Sequence, residues 1–420
     1  MFAKYRNLNE GASTMRRKQS VRIYRILSYF LVAILSAVIA LACTKNNQTI
    51  YSYISNGSVA PGATDPDKKL SELADVLDTY FVGEVDPEKT AEAVAEAMVN
   101  ALGDRWSYYM SADDYADYLE QINNAYVGIG VTISTEEDSF FQIQKVEAGS
   151  GADEAGLLPG DVIVGVEGES VQTIGYEKAK NMIKGAENTQ VSLTILRDGA
   201  EHVVSVTRKT VLVAVATAQM LDNNIGLITI TNFDERCAAE TIAAIEELVG
   251  QGAEGLIFDV RYNPGGYKNE LIDILDYLLP EGELFRSVDY KGQSSVDTSD
   301  AACLDIPMAV LINQDSYSAA EFFAAALAEY DWAVTVGEKT VGKGHFQNTF
   351  KLSDGSAVAL SVGKYYTPKG VSLSEAGGLE PRIKVELDKE TAAKVYAGLV
   401  EPKDDPQIQA AVAALMEEIG

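Results

Sequence analysis

Gly255-Leu256-Ile257-Phe258-Asp259-Val260-Arg261-Tyr262-Asn263-Pro264-Gly265-Gly266 is the stretch on which the fold turns. Its first half is a short, nearly continuous apolar run, the pattern of a strand buried on both faces. It breaks at Asn-Pro-Gly-Gly, a cluster of turn formers, and a helical pattern over residues 268–279 follows. Working outward, the alternation repeats. Strands are expected over 226–231 and 308–313, and helices over 238–250 and 318–329. Such alternation from residue 210 to about 400 makes an α/β layered core. A hairpin over 345–352 and 356–366, turning at Ser353-Asp354-Gly355, completes it. Taken alone, Asn-Pro-Gly-Gly is only a turn. Yet Gly265 and Gly266 offer unhindered N–H groups at a strand's C-terminal edge, where α/β sites form, so either is a candidate oxyanion donor.

Ser318 stands at the next strand–helix junction. Ser318-Ala319-Ala320-Glu321 is a capping-box pattern, and its plain reading is a helix cap. The same place suits a nucleophile, because free N–H groups and the positive end of the helix dipole favour a nearby oxyanion. A serine hydroxyl needs a base. The chain has only two histidines, His202 and His345. His202 has no acid motif beside it. Nothing orients His345, although a triad on it stays open. Lysine is the alternative, if burial lowers its pKa from ~10.4 toward neutrality. Lys343 has a suitable setting in Val341-Gly342-Lys343-Gly344, where glycines admit other backbone closely. Residues 337–343 also fit the start of a phosphate-binding loop. Gly344 replaces the required Ser or Thr, however, and a strand pattern replaces the helix.

Upstream of the core the texture changes twice. Residues 1–25 form a basic tail carrying Lys4, Arg6, Arg16, Arg17, Lys18, Arg22 and Arg25. The apolar run at 26–43 follows, 18 residues broken only by Ser28 and Ser36. As a helix it would span roughly 27 Å, close to a ~30 Å hydrocarbon core. It reads as a single transmembrane anchor with its N-terminus in the cytoplasm, uncleaved rather than processed or lipidated at Cys43. Residues 44–65 read as a linker, 66–124 as a helical region, 125–209 as short strands and turns, and 401–420 as a C-terminal helix. A formal charge of -28 repels phosphate backbones and argues against a nucleic-acid partner. No Cys-x-x-Cys pair occurs, so neither a structural zinc site nor a redox motif is supported. Cys237 and Cys303 are expected to be small buried residues rather than a disulfide.

Together these pieces resemble the carboxyl-terminal processing peptidases, or tail-specific proteases. The pattern is carried by Asp259-Val260-Arg261-Tyr262-Asn263-Pro264-Gly265-Gly266, Ser316-Tyr317-Ser318-Ala319-Ala320-Glu321 and Gly342-Lys343-Gly344-His345-Phe346-Gln347. Ser318 and Lys343 stand 25 residues apart, and Gln347 four beyond the lysine, as in the family. Tyr365-Tyr366-Thr367-Pro368 with Gly370 is similar to its strand end. The resemblance implies a ClpP/crotonase-like layered βα core preceded by a PDZ domain and an N-terminal helical region. It implies Ser318 as nucleophile, Lys343 as general base and Gln347 as the residue holding the lysine. Ala319 N–H, with Gly265 or Gly266, would form the oxyanion hole, and Ser316 is a competing nucleophile that the spacing disfavours. Residues 126–209, with Gly156-Leu157-Leu158-Pro159-Gly160-Asp161, resemble a permuted bacterial PDZ domain. There Gly128, Ile129, Gly130 and Val131 would receive a substrate's terminal carboxylate.

The function so implied is a membrane-anchored serine endopeptidase working outside the cytoplasm on proteins with unstructured C-termini. No cofactor is implied, and the helical region often dimerises in the family. Tyr317, His345, Lys184 and Gly378-Leu379-Glu380-Pro381-Arg382 depart from the family pattern and bear on substrate choice and regulation. The readings from other classes are a tethered PDZ binding protein with an inactive core and a P-loop nucleotidase.

Overall fold

The computed structural model describes residues 65–135 and 141–420. The basic tail, the apolar run at 26–43 and the linker up to residue 64 lie outside the described residues, as does Cys43. No helix among the described residues is long and apolar enough to cross a membrane. The described residues divide into two units after Thr90. In the first, the helix Pro66–Tyr80 starts on Asp65, whose carboxylate accepts from Asp67 N at 3.0 Å, with Pro66 in its first turn.

The region expected to be helical throughout, 66–124, contains a strand, β1 (Tyr108–Met110). It forms because the distant strand β18 (Ala357–Tyr366) offers it a ladder, with Tyr108 opposite Ala359 and Met110 opposite Ala357. A pairing partner some 250 residues away leaves no trace in local periodicity. The helix Ala112–Ile122 follows, capped by the Ser111 hydroxyl.

Residue 125 opens a compact β domain. Its strands are β2 (Ala125–Gly128), β3 (Val131–Thr135), β4 (Phe141–Val146), β5 (Val162–Val166), β6 (Glu169–Ser170), β7 (Gln190–Arg197), β8 (Ala200–Thr207) and β9 (Lys209–Leu212). The main sheet runs β3-β4-β5-β7-β8 with β6 on β5, which leaves β3 at an edge. Phe141, Ile143, Ile163, Leu193 and Ile195 are buried in its core with Ala179 and Ile183 of the helix Tyr176–Ile183. The β7–β8 hairpin turns at Asp198 and Gly199, both at positive φ, the primed turn that suits strand twist. β2 and β9 pair at the base. Beside them Val213 N donates to Asn124 O at 2.8 Å, and the Arg236 guanidinium donates to Val213 O at 2.8 Å. Entry and exit of this domain are thus tied to each other and to the following core.

The core strands are β10 (Ala216–Met220), β11 (Ile225–Ile230), β12 (Gly255–Asp259), β13 (Gly282–Asp289), β14 (Ser294–Ser299), β15 (Met308–Ile312), β16 (Ala333–Gly337), β17 (His345–Lys351), β18 and β19 (Ile383–Lys384). One sheet runs β10-β11-β12-β15-β16-β19, parallel from β11 onward. Every residue of β12 and β15 is buried, which explains their unbroken apolar runs. Alternate side chains go to opposite layers. Phe258 and Val310 pack with the helices Cys237–Gly250, Lys268–Leu278 and Ala319–Glu329, whereas Ile257 and Leu311 pack with the C-terminal helix Pro406–Ile419. A second sheet, β1-β18-β13-β14 with β17 on β18, lies beyond the first helical layer.

Cys237 is buried and Cys303 exposed, both as free thiols. The buried expectation therefore fails for Cys303, and no disulfide joins the two. Burial pushes the Cys237 thiol up to about 12.

Candidate active site

Asn-Pro-Gly-Gly and the Ser318 junction meet at the C-terminal edge of the parallel sheet. β12 and β15 are neighbours there, so the two strand–helix turns face each other. Asn263 is fully buried and ties them. Its Nδ2 donates to Ile230 O at 2.8 Å, and its own carbonyl accepts from Tyr317 N at 3.2 Å. The contact between the turns is close. A Cβ placed on Gly265, whose φ is +91°, would stand 2.7 Å from Ser318 Cβ and 2.8 Å from Ala319 N. Only glycine meets both the dihedral and the approach.

Ser318 holds the N-cap position, but its side chain does not cap the helix. Its φ and ψ are 59° and -122°, and its side chain makes no capping hydrogen bond. A positive φ on a serine costs energy and persists only where the surroundings enforce it. That backbone frees the hydroxyl from the helix end. Glu321, the presumed partner in the capping box, acts elsewhere. It is fully buried and accepts from Thr340 Oγ1, from Gly342 N at 2.7 Å and from Lys343 N at 2.9 Å. Burial pushes its carboxyl above the ordinary range, against the pull of these donors. The first turn of the helix thus carries both the serine and the carboxylate that grips the lysine loop.

Lys343 is 9% exposed. Burial lowers its ammonium from 10.5 to about 8, while Asp104 and Glu321 act in the opposite direction. Its Nζ lies 4.8 Å from the centroid of the Trp106 ring and 5.7 Å from that of Tyr317. Among the described residues no hydrogen bond joins it to Ser318. The Tyr365 hydroxyl, deeply buried, donates to Lys343 O at 2.6 Å and so fixes the lysine backbone from β18.

Other expected residues fall differently. Gln347 Nε2 donates to His345 O at 3.1 Å and Ser361 Oγ at 3.3 Å, not to the lysine. A register shift in β17 between Phe346 and Gln347 accompanies this placement. Gly265 N–H donates to Asn263 Oδ1 at 2.8 Å, so it is already engaged within the turn. Ser316 is fully buried, its hydroxyl donating to Val260 O at 2.8 Å, so it braces the turn rather than facing a substrate. His345 Nδ1 is buried and has no hydrogen-bond partner among the described residues. Lys343 leads into β17 rather than a helix, which removes the helix N-terminus a phosphate loop requires.

In the β domain, Gly128, Ile129 and Gly130 are buried between β2 and β3, and Val131 opens the edge strand. The carbonyls of Ile129 and Gly130 accept from Ala152 N at 2.8 Å and Glu147 N at 2.9 Å. Gly130 has φ +81°, and a Cβ there would stand 2.2 Å from that of Ser150. Lys184 pairs with Glu120 of the preceding helix at 3.5 Å. Among the described residues no cluster suited to a metal ion occurs. Glu321 was visible in the motif but misread as a cap. Trp106 and Asp104 carried no signal, because only the folded chain brings them to the lysine.

Comparison with known proteins fits this geometry. Residues 224–385 match the model of peptidase family S41, and residues 120–196 match that of the PDZ domain. The chain is 32% identical over 366 residues to the carboxy-terminal processing protease CtpA of Bacillus subtilis, covering 86% of this chain and 78% of that protein. It is 35% identical over 298 residues to a carboxyl-terminal-processing protease of Synechocystis, covering 69% and 70%. A putative S41 protease from Bacteroides fragilis shares the fold, with a TM-score of 0.52 at 18% identity over 82% of this chain and 94% of that one.

Proposed function

From the premise that the chain belongs to peptidase family S41, as a carboxyl-terminal processing serine protease with a PDZ domain, we propose that Ser318 and Lys343 are its catalytic dyad. The observation that carries this reading is a serine held at positive φ, uncapped at a helix N-terminus, together with a buried lysine brought down to about 8. Neutral Lys343 takes the Ser318 proton as Oγ attacks the peptide carbonyl. Ala319 N–H and Gly266 N–H receive the oxyanion. The ammonium then protonates the leaving amine, and an acyl-enzyme remains. Water, deprotonated by the same lysine, releases it. The lysine side chain turns from the aromatic rings toward Ser318 once substrate is bound, since catalytic hydrogen bonds tighten in that complex. His345 Nδ1 has no hydrogen-bond partner among the described residues, so no acid is hydrogen-bonded to it there, which favours lysine over a histidine base. The test is turnover of an unfolded protein by wild type, Ser318→Ala and Lys343→Ala. Turnover by both variants at the wild-type rate refutes the dyad.

The exposed edge of β3 supports the further reading that an unstructured C-terminus adds there as a strand, its carboxylate at Ile129 and Gly130. Removing the last residues of a substrate should then raise KM. The basic tail and the apolar run at 26–43 support a single-pass anchor with the protease outside the cytoplasm. External protease digestion of intact cells, with the membrane fraction as control, tests that topology. Whether two copies associate through the helical region is read by sedimentation of the soluble fragment.

A further inference from the structure

Asp104, Arg105, Trp106 and Ser107 form a turn upstream of both family-model matches, the first of which begins at residue 120. It nevertheless reaches the lysine. The Trp106 and Tyr317 rings stack with centroids 5.7 Å apart at 30°, and Lys343 Nζ lies against both faces. The Arg105 guanidinium sits 4.2 Å from the Trp106 centroid. The turn is fixed rather than draped. Asp104 accepts from Trp106 N at 3.2 Å and from Ser107 Oγ at 2.6 Å, and Ser107 Oγ accepts from Ser361 N at 3.0 Å. Ser361 belongs to β18, the strand that also bears Tyr365 and to which β1 is paired.

We infer that this turn is part of the active site, with Trp106 a positioning residue that roofs Lys343 and Asp104 an opposite charge that acts on it. The inference rests on the Ser318–Lys343 reading. The indole does two things to the amine. It excludes water, which disfavours the ammonium, and its face attracts the ammonium. Burial is the largest influence on Lys343 and outweighs every attraction, so loss of the roof raises the pKa. The charges around Nζ are Asp104 and Arg105 of the turn and Glu321 of the helix Ala319–Glu329, with His345 close to Asp104. Although burial opposes its charge, Asp104 is held below the ordinary carboxylate range by Ser107, Ser361, the Trp106 N–H and His345. It therefore stays ionised in the turn that carries Trp106, and its charge favours the ammonium.

The test is the acidic limb of kcat/KM against pH, which reports the base in the free enzyme, measured on the whole protease with a chromogenic peptide. Trp106→Ala should move that limb up by about one pH unit, with about a tenfold loss at neutral pH. Trp106→Phe, which keeps a ring, should return it toward wild type. Asp104→Asn should move it in the opposite direction, downward, since an opposing charge is gone. Should Trp106→Ala fail to fold by circular dichroism, the downward movement in Asp104→Asn decides. A limb unmoved in the folded variants makes the turn mere packing and overturns the inference. Lys343→Ala separates the two failures. If it is active, the dyad and this inference fall together. If it is inactive while the limb stays fixed, only the inference falls.

Discussion

A lysine buried where Lys343 stands should make the protein less stable than it need be, and Lys343→Met tests this. The substitution keeps the length and apolar stem of the side chain and removes its charge. The fold lowers the ammonium from 10.5 to about 8, so at neutral pH its charge costs roughly 3 kcal/mol, at ~1.4 kcal/mol for each pH unit. At 9% exposure, solvent screening discounts little of that. The direction with pH follows from proton counts. The unfolded chain keeps the Lys343 proton up to 10.5, the folded chain only to about 8. Between those values the unfolded state binds more protons, so wild-type stability rises with pH. The advantage of Lys343→Met should be full below about 8 and vanish as pH passes 10.5. Urea denaturation of both proteins, followed through the transition of the protease core, reads the gap at neutral and at alkaline pH. A variant no more stable than wild type at neutral pH, or a gap that does not close at alkaline pH, would falsify the claim that burial holds this lysine down.

The remaining expectations concern its neighbours. Ser318→Ala should abolish turnover yet change stability by less than ~0.5 kcal/mol, because no cap bond is lost. Ser318→Gly should gain about 1 kcal/mol by releasing the positive φ, as read from thermal melts. Glu321→Ala should cost about 3 kcal/mol or more, since Thr340, Gly342 and Lys343 lose their buried acceptor; a wild-type urea midpoint would count against that role. Gly265→Ala forces a Cβ onto Ser318 and Ala319 at φ +91°. A loss of roughly a hundredfold or more in kcat/KM is expected from the displaced nucleophile, and retained activity would mean that the two turns need not touch.

Periodicity carried the β12 and β15 layer because strands buried on both faces must be apolar throughout. It could not carry β1, whose three residues are strand only through β18. Ser318 by itself fits a helix cap and Lys343 by itself a broken phosphate loop, and only the family resemblance pairs them, whereas the close approach at Gly265 was legible because it demands glycine. Supporting contacts were less so. Glu321 fits a capping box as well as it fits its actual task, because a carboxylate three residues into a helix is reached by either set of N–H donors. The family resemblance implies that Gln347 holds the lysine, whereas its amide, beside a shifted register in β17, donates to His345 O and Ser361 Oγ. Trp106 stands in a polar turn with no periodic signal, so nothing local distinguishes it from a surface aromatic.

The supports of the two reacting groups share one element. Ser318 and Glu321 lie one helical turn apart at the start of Ala319–Glu329, so whatever shifts that helix end shifts the serine and the lysine loop together. From the other side, β18 supplies Tyr365 to the lysine carbonyl and Ser361 to both Ser107 and Gln347. The proposed nucleophile and base are thus held by one helix and one strand from different layers. The packing of Phe322 against Tyr365, whose rings meet edge to face at 5.7 Å, adds to the direct grip of Glu321 on the lysine loop. Because that contact joins the helix to the strand, a void there should loosen the dyad without touching either of its members.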